Sequence, residues 1–298
     1  MKNIIRVLLA ILVLNMVSCT NTSETTSKLT EAYLADYDSI IAYREGAGRA
    51  HYLQLVALFP ISPFEIYSIG SDQSSDLLLE IPEVPGTIGT LFSTPDSTIF
   101  TAAEGTIVTT SDGDTIQSKA LEFDQYDNSE KLHSGRIEFI VKAFQDKRFI
   151  RVWDLENPRV AAFPGYEWYD LNPDFILTAE YEPLKTPIVV TVPTSMGVQD
   201  RVSFTGKVTF EYQGEKYELL SEGGGFLMFG DETTGVETYG SGRYLYFELP
   251  KDGEKEVMVD FNVSYNPPCS YSDVTTCRFP PKQNYLPFEV LAGEKYHH

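Results

Sequence analysis

The stretch RVSFTGKVTFEYQGEKYELL, residues 201–220, decides the fold class. From Val202 to Tyr212 apolar side chains occupy every second position, with Gly206 as the one gap, and polar residues lie between them. Strict alternation is typical of a strand with one face buried. Gln213 and Gly214 then favour a tight turn. The stretch therefore predicts a half-buried strand that ends in a hairpin turn.

Segments of the same kind recur along most of the chain. They are short, β-branched or aromatic, and bounded by Asp, Gly, Ser or Pro, which is typical of strands and turns. Asp112-Gly113 indicates a tight hairpin. Short strands with few helices between them predict an all-β fold of antiparallel sandwiches or barrels. The clearest of these segments are 64–69, 136–144, 148–153, 187–192, 243–249 and 256–261.

One helix is expected near the N-terminus, over about residues 29–44. Apolar side chains recur there at steps of three and four, which predicts a helix with one apolar face. Ser27 is placed to cap its start, and Gly46 and Gly48 are expected to end it. The apolar positions are Leu29, Tyr33, Tyr37, Ile40 and Ile41.

Residues 1–18 have the layout of a secretory signal peptide. Lys2 and Arg6 precede an apolar run that is too short to span a membrane. The run leads into Val17-Ser18-Cys19, which resembles a bacterial lipobox. That resemblance implies a lipid on Cys19, a polar tether over 19–27 and anchoring in the bacterial cell envelope. The alternative is an ordinary cleaved signal peptide with a free Cys19.

The chain is strongly acidic, with a formal net charge of -20. Removing 1–18 takes away Lys2 and Arg6 and no acid, so the remainder has -20 - 2 = -22. Nucleic acid is anionic and is excluded as a partner. The partners expected are the membrane, through the lipid anchor, and a small ligand, a glycan or an envelope protein.

Beyond Cys19, the sequence contains the cysteines Cys269 and Cys277. In an oxidising envelope two thiols so close in sequence are expected to form a disulfide that fastens the loop between them. The alternative is a metal site, but zinc requires four ligands and no Cys-x-x-Cys or His-x-x-x-His accompanies the pair. We therefore expect no metal and no cofactor.

The remaining chain is long enough for two modest units with their own cores. The turn-rich region between Pro158 and Pro183 is the expected boundary. We assign 28–160 to the helix and a first β-sandwich, and 161–298 to a C-terminal β unit closed by the disulfide-fastened loop.

The C-terminal unit contains the polar residues that are candidates for a site. Three interpretations stay open: a structural polar network, a rigid ligand pocket in which Arg243 meets an anion, and catalysis by a pair of carboxylates. A two-pronged ion pair of Arg243 with Asp260 or Glu294 is also possible. The candidate ligand-binding residues are Asp231, Tyr239, Arg243, Asp260, Asn262, Tyr265, Asn266, Asn284 and Glu294.

The same residues resemble the bacterial family known as domain of unknown function 1684 (DUF1684). Ser264 and Arg278 depart from the family pattern, which has alanine and proline there. The resemblance implies a fold family in an envelope or soluble bacterial setting, and no known reaction. The matching segments are Asp231–Arg243, the run Asp260-Phe261-Asn262, the run Tyr265-Asn266-Pro267-Pro268-Cys269, then Cys277, Pro280-Pro281, Asn284 and Ala292-Gly293-Glu294-Lys295.

A second resemblance concerns the first unit. Ile69-Gly70-Ser71-Asp72 with Asp76 to Leu79 is similar to the opening of a forkhead-associated (FHA) β-sandwich. Ser71 replaces the family's arginine, and the later Ser-x-x-His is missing. The resemblance therefore implies the fold only, without phosphothreonine binding.

These observations favour a non-catalytic ligand-binding or accessory lipoprotein of the cell envelope, with no assigned catalytic residue. A carboxylate-dependent hydrolase and a purely structural envelope protein are the alternatives.

Overall fold

The computed structural model describes residues 29–144, 147–195, 197 and 199–296. It is 43% strand and 16% helix, which confirms a mostly antiparallel β fold with a helix near the N-terminus. The predicted signal peptide, Cys19 and the predicted tether lie outside the described residues. Within the described residues no helix is long and apolar enough to cross a membrane.

The N-terminal helix begins slightly later than the sequence pattern predicts, and a second short helix follows it. Helix α1 spans Glu31–Tyr43, and Thr30 caps it by accepting a hydrogen bond from the Tyr33 backbone N–H at 3.1 Å. A π-helical turn, Arg44–Gly48, continues directly into helix α2, Arg49–Leu53. At Gly46 the backbone is non-helical, at φ -101° and ψ -108°, so the first helix is interrupted there, as the glycines predict, and a second helix follows the kink.

The first unit is a sandwich of two five-stranded sheets. The sheets are antiparallel, except that β2 and β3 pair in parallel. In spatial order, the first sheet contains β1 (Leu55–Ile61), β10 (Lys147–Asp154), β9 (Ile137–Phe144), β8 (Leu132–Ser134) and β6 (Thr109–Thr110). The second contains β3 (Leu77–Leu78), β2 (Ile66–Gly70), β4 (Gly89–Ser93), β5 (Thr98–Ala102) and β7 (Ser118–Ala120).

Packing between the two sheets forms the first core. Phe100 on β5 and Phe139 on β9 are both fully buried, and their ring centroids lie 5.3 Å apart. The predicted strand segments 136–144 and 148–153 form the hairpin β9–β10, in which Asp154 lies opposite Ile137. A short helix α3, Arg159–Ala162, then leads to the second unit.

The second unit combines a four-stranded sheet with a two-stranded ribbon. Its central hairpin is the stretch that decided the fold class: β12 and β13 pair around Gln213 and Gly214, both at positive φ. The Phe261 ring packs on the Phe229 ring of the ribbon, with the ring centroids 5.0 Å apart, and this contact joins the ribbon to the sheet. In spatial order the sheet contains β13 (Glu215–Ser221), β12 (Gln199–Tyr212), β11 (Ile176–Pro193) and β16 (Glu256–Asp260), and the ribbon contains β14 (Phe226–Phe229) and β15 (Arg243–Tyr246).

The N-terminal helix and the C-terminal loops join the two units. Tyr33 of α1 donates a hydrogen bond to Asp260 at 2.8 Å, although the helix precedes the first sandwich in sequence. From the other side, the Ser272 hydroxyl donates to the Leu55 carbonyl of β1 at 3.2 Å. The candidate site residues Asp260, Tyr265, Asn266 and Glu294 lie near this junction.

Candidate functional site

Arg243 forms a buried ion pair with Asp231. Its side chain is 1% exposed, and Nη2 lies 3.1 Å from the Asp231 Oδ2. The guanidinium also donates to the carbonyls of Val290 and Ala292. The predicted pairing with Asp260 or Glu294 is wrong, because Asp231 and the 290–292 carbonyls occupy Nη1 and Nη2. This arrangement favours a structural network at Arg243 over an anion site.

Two buried asparagines tie separate segments of backbone together. Asn284 accepts from the Leu220 N–H and donates to the Leu220 and Met228 carbonyls, all at 2.8 Å, so it bridges β13 and β14. Asn262 exchanges two hydrogen bonds with the backbone of Asn172, at 2.8 and 2.9 Å. Both amides are satisfied by the protein itself and hold irregular chain in place.

Asp260 anchors the helix. Its Oδ1 accepts from the Asn262 backbone and side-chain N–H groups at 2.9 Å, and its Oδ2 accepts from the Tyr33 hydroxyl. Burial raises the pKa of this carboxyl, and the hydrogen bonds from Asn262 and Tyr33 oppose the rise. Its contacts with protein groups give Asp260 a structural role.

Glu294 is the second buried carboxyl of the junction. Its Oε1 accepts from the Tyr271 hydroxyl and its Oε2 from the Asn266 backbone N–H, both at 2.7 Å. Burial raises the pKa of Glu294 to about 7, while these hydrogen bonds and the positive charges of Arg44 and Arg49 oppose the rise. Glu294 can therefore exchange a proton near neutral pH.

The backbone before Glu294 requires glycine. Gly293 has φ +82°, and a Cβ there would collide with the Ser264 hydroxyl. The Glu294 N–H then donates to the Ser264 carbonyl at 2.9 Å. This close approach sets the carboxyl beside Asn266.

Arg44, from the π-helical turn, covers the same region. Its guanidinium carbon lies 3.3 Å from the centroid of the Tyr265 ring, the position expected for a strong cation–π contact. Arg49, one turn later, lies 5.4 Å above the Phe163 ring. The helix thus supplies two positive charges to the surroundings of Glu294.

Three buried polar atoms of this region have no hydrogen-bond partner among the described residues: Arg44 Nε, Trp168 Nε1 and Asn266 Oδ1. Asn266 is fully buried. Trp168 pairs through its backbone with Glu294 and packs against the cluster that contains Tyr265. Buried polar groups without partners are uncommon in folded proteins and each calls for an explanation. We call Arg44, Trp168, Tyr265, Asn266 and Glu294 the Glu294 site.

The Glu294 site offers complementary chemistry. Arg44 Nε and Trp168 Nε1 are unused hydrogen-bond donors, and Asn266 Oδ1 is an unused acceptor. The Tyr265 ring provides an aromatic wall, and Glu294 acts as acceptor or donor depending on its protonation. Among the described residues no group of three or more His, Cys, Asp or Glu side chains could hold a metal ion. These groups have hydrogen-bonding capacity that other described residues do not use.

The predicted disulfide is not formed: Cys269 and Cys277 are both free thiols. The Cys269 backbone N–H donates to the Cys277 sulfur at 2.9 Å, so the sulfur acts as a hydrogen-bond acceptor. Tyr239, another candidate, donates to the Cys269 carbonyl at 3.1 Å and lies beside the Tyr296 ring. Hydrogen bonds around the thiols, instead of a covalent bond, hold this loop.

Two clefts lie beside the first sandwich. One, of about 790 Å³, contains Arg136 and Asp154, which form a two-pronged ion pair with each other at 2.6 and 2.7 Å. The other, of about 580 Å³, is lined by His51, Lys131 and Arg151 among others. Neither cleft contains a buried polar side-chain atom without a partner in the described part of the chain.

Comparison with known proteins places the second unit in a family. Residues 161–295 match the family model described as protein of unknown function (DUF1684). The chain belongs to the DUF1684 family. An uncharacterized protein from Haloarcula marismortui, known from a solution NMR structure, is 32% identical in sequence. The match covers 46% of this chain and 78% of the Haloarcula chain, with a TM-score of 0.38. No curated protein matches the chain.

The DUF1684 segment accounts for only part of the site. The sequence pattern indicated Tyr265, Asn266 and Glu294, which the fold brings together, and Asp231, Arg243 and Asn284, which form networks elsewhere. Arg44 lies outside the 161–295 match and comes from the N-terminal helix, so no local motif could have revealed it. Trp168 and Tyr271 were also missed, because isolated aromatic residues give no signal of a site. The FHA resemblance is not tested by these matches and stays a prediction.

Proposed function

We propose that this DUF1684 protein is a non-catalytic ligand-binding protein of the bacterial cell envelope, with its ligand held at the Glu294 site. The observation that carries the proposal is the set of three buried polar atoms, at Arg44, Trp168 and Asn266, that have no partner in the part of the chain that the structure describes. Leaving such atoms unsatisfied costs about 1–3 kcal/mol each. A bound molecule that pairs with them would recover that free energy.

The available groups indicate the chemistry of the ligand. Arg44 and Trp168 require acceptors, and Arg44 and Arg49 bring positive charge close to Glu294. Asn266 Oδ1 requires a donor. A small carboxylate that also has a hydroxyl or amino group satisfies both requirements, with its carbon skeleton against the Tyr265 ring.

The hydrolase alternative has less support. A carboxylate pair requires two acids that face one substrate. Asp231 forms an ion pair with Arg243, and Asp260 accepts from Tyr33 and Asn262, so both acids serve the protein. Glu294 is left as the single candidate acid. The structural alternative fits the network around Arg243 and leaves the unpartnered atoms of the Glu294 site unexplained.

The experiment that tests the proposal is a high-resolution crystal structure of the protein purified without denaturation and soaked in D-lactate and, separately, in D-alanine. Density for an organic molecule bonded to Asn266 Oδ1 and the Arg44 guanidinium is expected. Ordered waters alone on all three atoms, in both soaks, would contradict ligand binding.

The location in the envelope rests on residues 1–19. We propose that Cys19 carries lipid and anchors the protein to a membrane. In fractionated cells the Cys19→Ser protein is expected in the soluble fraction and the unaltered protein with the membranes. Equal membrane association of both proteins would contradict the anchor.

A further inference from the structure

The two free thiols differ in access to solvent. Cys269 is partly exposed, whereas Cys277 is 2% exposed. They are within hydrogen-bonding reach of each other, and the Cys269 backbone N–H donates to the Cys277 sulfur. Cys269 is therefore the more accessible of the two cysteines.

Two hydroxyls lie near Cys269. The Tyr239 hydroxyl donates to the Cys269 carbonyl at 3.1 Å, and the Ser195 hydroxyl donates to the Thr275 carbonyl at 3.3 Å. The hydrogen bond from Cys277 lowers the pKa of Cys269 to about 7, and burial opposes this lowering. Burial raises the pKa of Cys277 well above its ordinary value.

The surrounding backbone fixes both cysteines. Cys277 donates its N–H to the Ser195 hydroxyl at 3.0 Å and accepts at its carbonyl from the Ser195 N–H at 2.9 Å, so the end of the β11–β12 hairpin holds it. Cys269 directly follows Pro267 and Pro268, which restrict the backbone. The pair is thus positioned by two separate elements.

We propose that Cys269 and Cys277 form a thiol–disulfide exchange pair, in which Cys269 attacks a disulfide substrate and Cys277 resolves the product. This inference is independent of the Glu294 site. It rests on the contact of a partly exposed cysteine with a buried one, each held by a separate element, an asymmetry that suits an attacking and a resolving thiol.

The reaction balances with a disulfide, RSSR, as the oxidant. The Cys269 thiolate attacks one sulfur of RSSR, a Cys269–S–S–R bond forms, the S–S bond of RSSR breaks, and RS⁻ leaves. Cys277 then loses its proton and attacks the Cys269 sulfur, which forms the Cys269–Cys277 bond and releases a second RS⁻. The two leaving thiolates take up the two thiol protons. Two cysteines are oxidised, and one disulfide is reduced to two thiols.

Oxidised glutathione is the probe, and mass spectrometry of acid-quenched samples is the readout. The full chain in detergent carries Cys19→Ser, because the sequence has three cysteines and only the pair should react. This parent is expected to form the internal disulfide and to release two glutathione molecules. With Cys277→Ser, glutathione should remain attached to Cys269, and with Cys269→Ser no adduct should form at pH 7.

A second measurement keeps the inference falsifiable if Cys277→Ser does not fold. Iodoacetamide labelling of the parent is expected to modify Cys269 first, at a rate that rises with pH through about 7. Equal labelling of the two cysteines, or no internal disulfide in the parent, would overturn the proposal.

Discussion

The guanidinium of Arg44 lies over the Tyr265 ring, with its carbon 3.3 Å from the ring centroid. Arg44 belongs to the N-terminal helix and Tyr265 to the C-terminal loops, so this contact joins the two ends of the chain. Tyr33, near the start of the same helix, forms a second link through its hydrogen bond to Asp260. The helix therefore completes a site whose other members lie within the DUF1684 segment.

The Arg243–Asp231 pair is expected to stabilise the fold rather than to bind ligand. Asp231→Asn leaves the buried Arg243 charge without its counter-charge, and we expect a loss of about 3–5 kcal/mol in the free energy of unfolding. Urea unfolding measures this loss of stability. The Glu294 site should keep any binding activity at temperatures where this variant is folded.

A matched control is the exposed pair Lys255–Glu180, at 3.3 Å with side chains 74% and 64% exposed. Glu180→Gln should change the free energy of unfolding by less than about 1 kcal/mol. A loss in Asp231→Asn no larger than in this control would show that Arg243 does not depend on Asp231.

Asn284 is expected to be a structural residue as well. Asn284→Ala leaves three buried backbone groups of Leu220 and Met228 without partners. Each unsatisfied group costs about 1–3 kcal/mol, so we expect a loss of at least about 3 kcal/mol in urea unfolding. Gln117→Ala, at an exposed amide, is the control and should be near neutral. A mild effect of Asn284→Ala would mean that water or a shifted backbone replaces the amide.

Glu294 gives the fold a pH dependence. Its pKa in the folded protein, about 7, is raised above the ordinary 4.5, so between these values the folded state binds more protons than the unfolded state. Its contribution to stability is fully present below about pH 4.5 and is lost as the pH rises through about 7. The loss is on the order of 3 kcal/mol.

Glu294→Gln, the neutral counterpart, should therefore flatten the decline of stability between pH 4.5 and 7, as followed by urea unfolding at several pH values. Glu256→Gln, at an exposed position of β16, is the control and should keep the wild-type slope. If Glu294→Gln also keeps that slope, the raised pKa of Glu294 is wrong.

The sequence predicts features that depend on neighbouring residues better than features that depend on residues far apart in the chain. The alternation from Val202 to Tyr212 and the turn at Gln213-Gly214 fix a hairpin locally, and the structure has it. Residues 243–249 and 256–261 were also predicted as strands, but β15 and β16 belong to different sheets, which no local pattern reveals. Gly46 predicts a break because glycine is a weak helix former, and the backbone is non-helical there, but the second helix that follows the kink gives no comparably clear signal.

The candidate site shows the same limit. The many polar residues near the C-terminus indicated where a site could lie. The role of each residue, however, depends on the groups it contacts in the folded chain. Arg243 meets Asp231 instead of a ligand, and the unpartnered atoms include Arg44 and Trp168, from distant parts of the sequence. Pairing of polar groups is a property of the folded chain, so sequence alone could not separate the structural network from the site.

The most direct test of the Glu294 site is a thermal-shift titration with D-lactate, D-alanine, citrate and gluconate as probes, on the unaltered protein, Arg44→Met and Arg201→Met. Arg201 is an exposed arginine on β12 and serves as the matched control. A probe at a hundred times its dissociation constant should stabilise the protein by about 2.7 kcal/mol. We expect at least one probe to raise the melting temperature of the unaltered protein and of Arg201→Met, and to leave Arg44→Met unchanged. No shift with any probe, or an equal shift in Arg44→Met and Arg201→Met, would contradict ligand binding at this site.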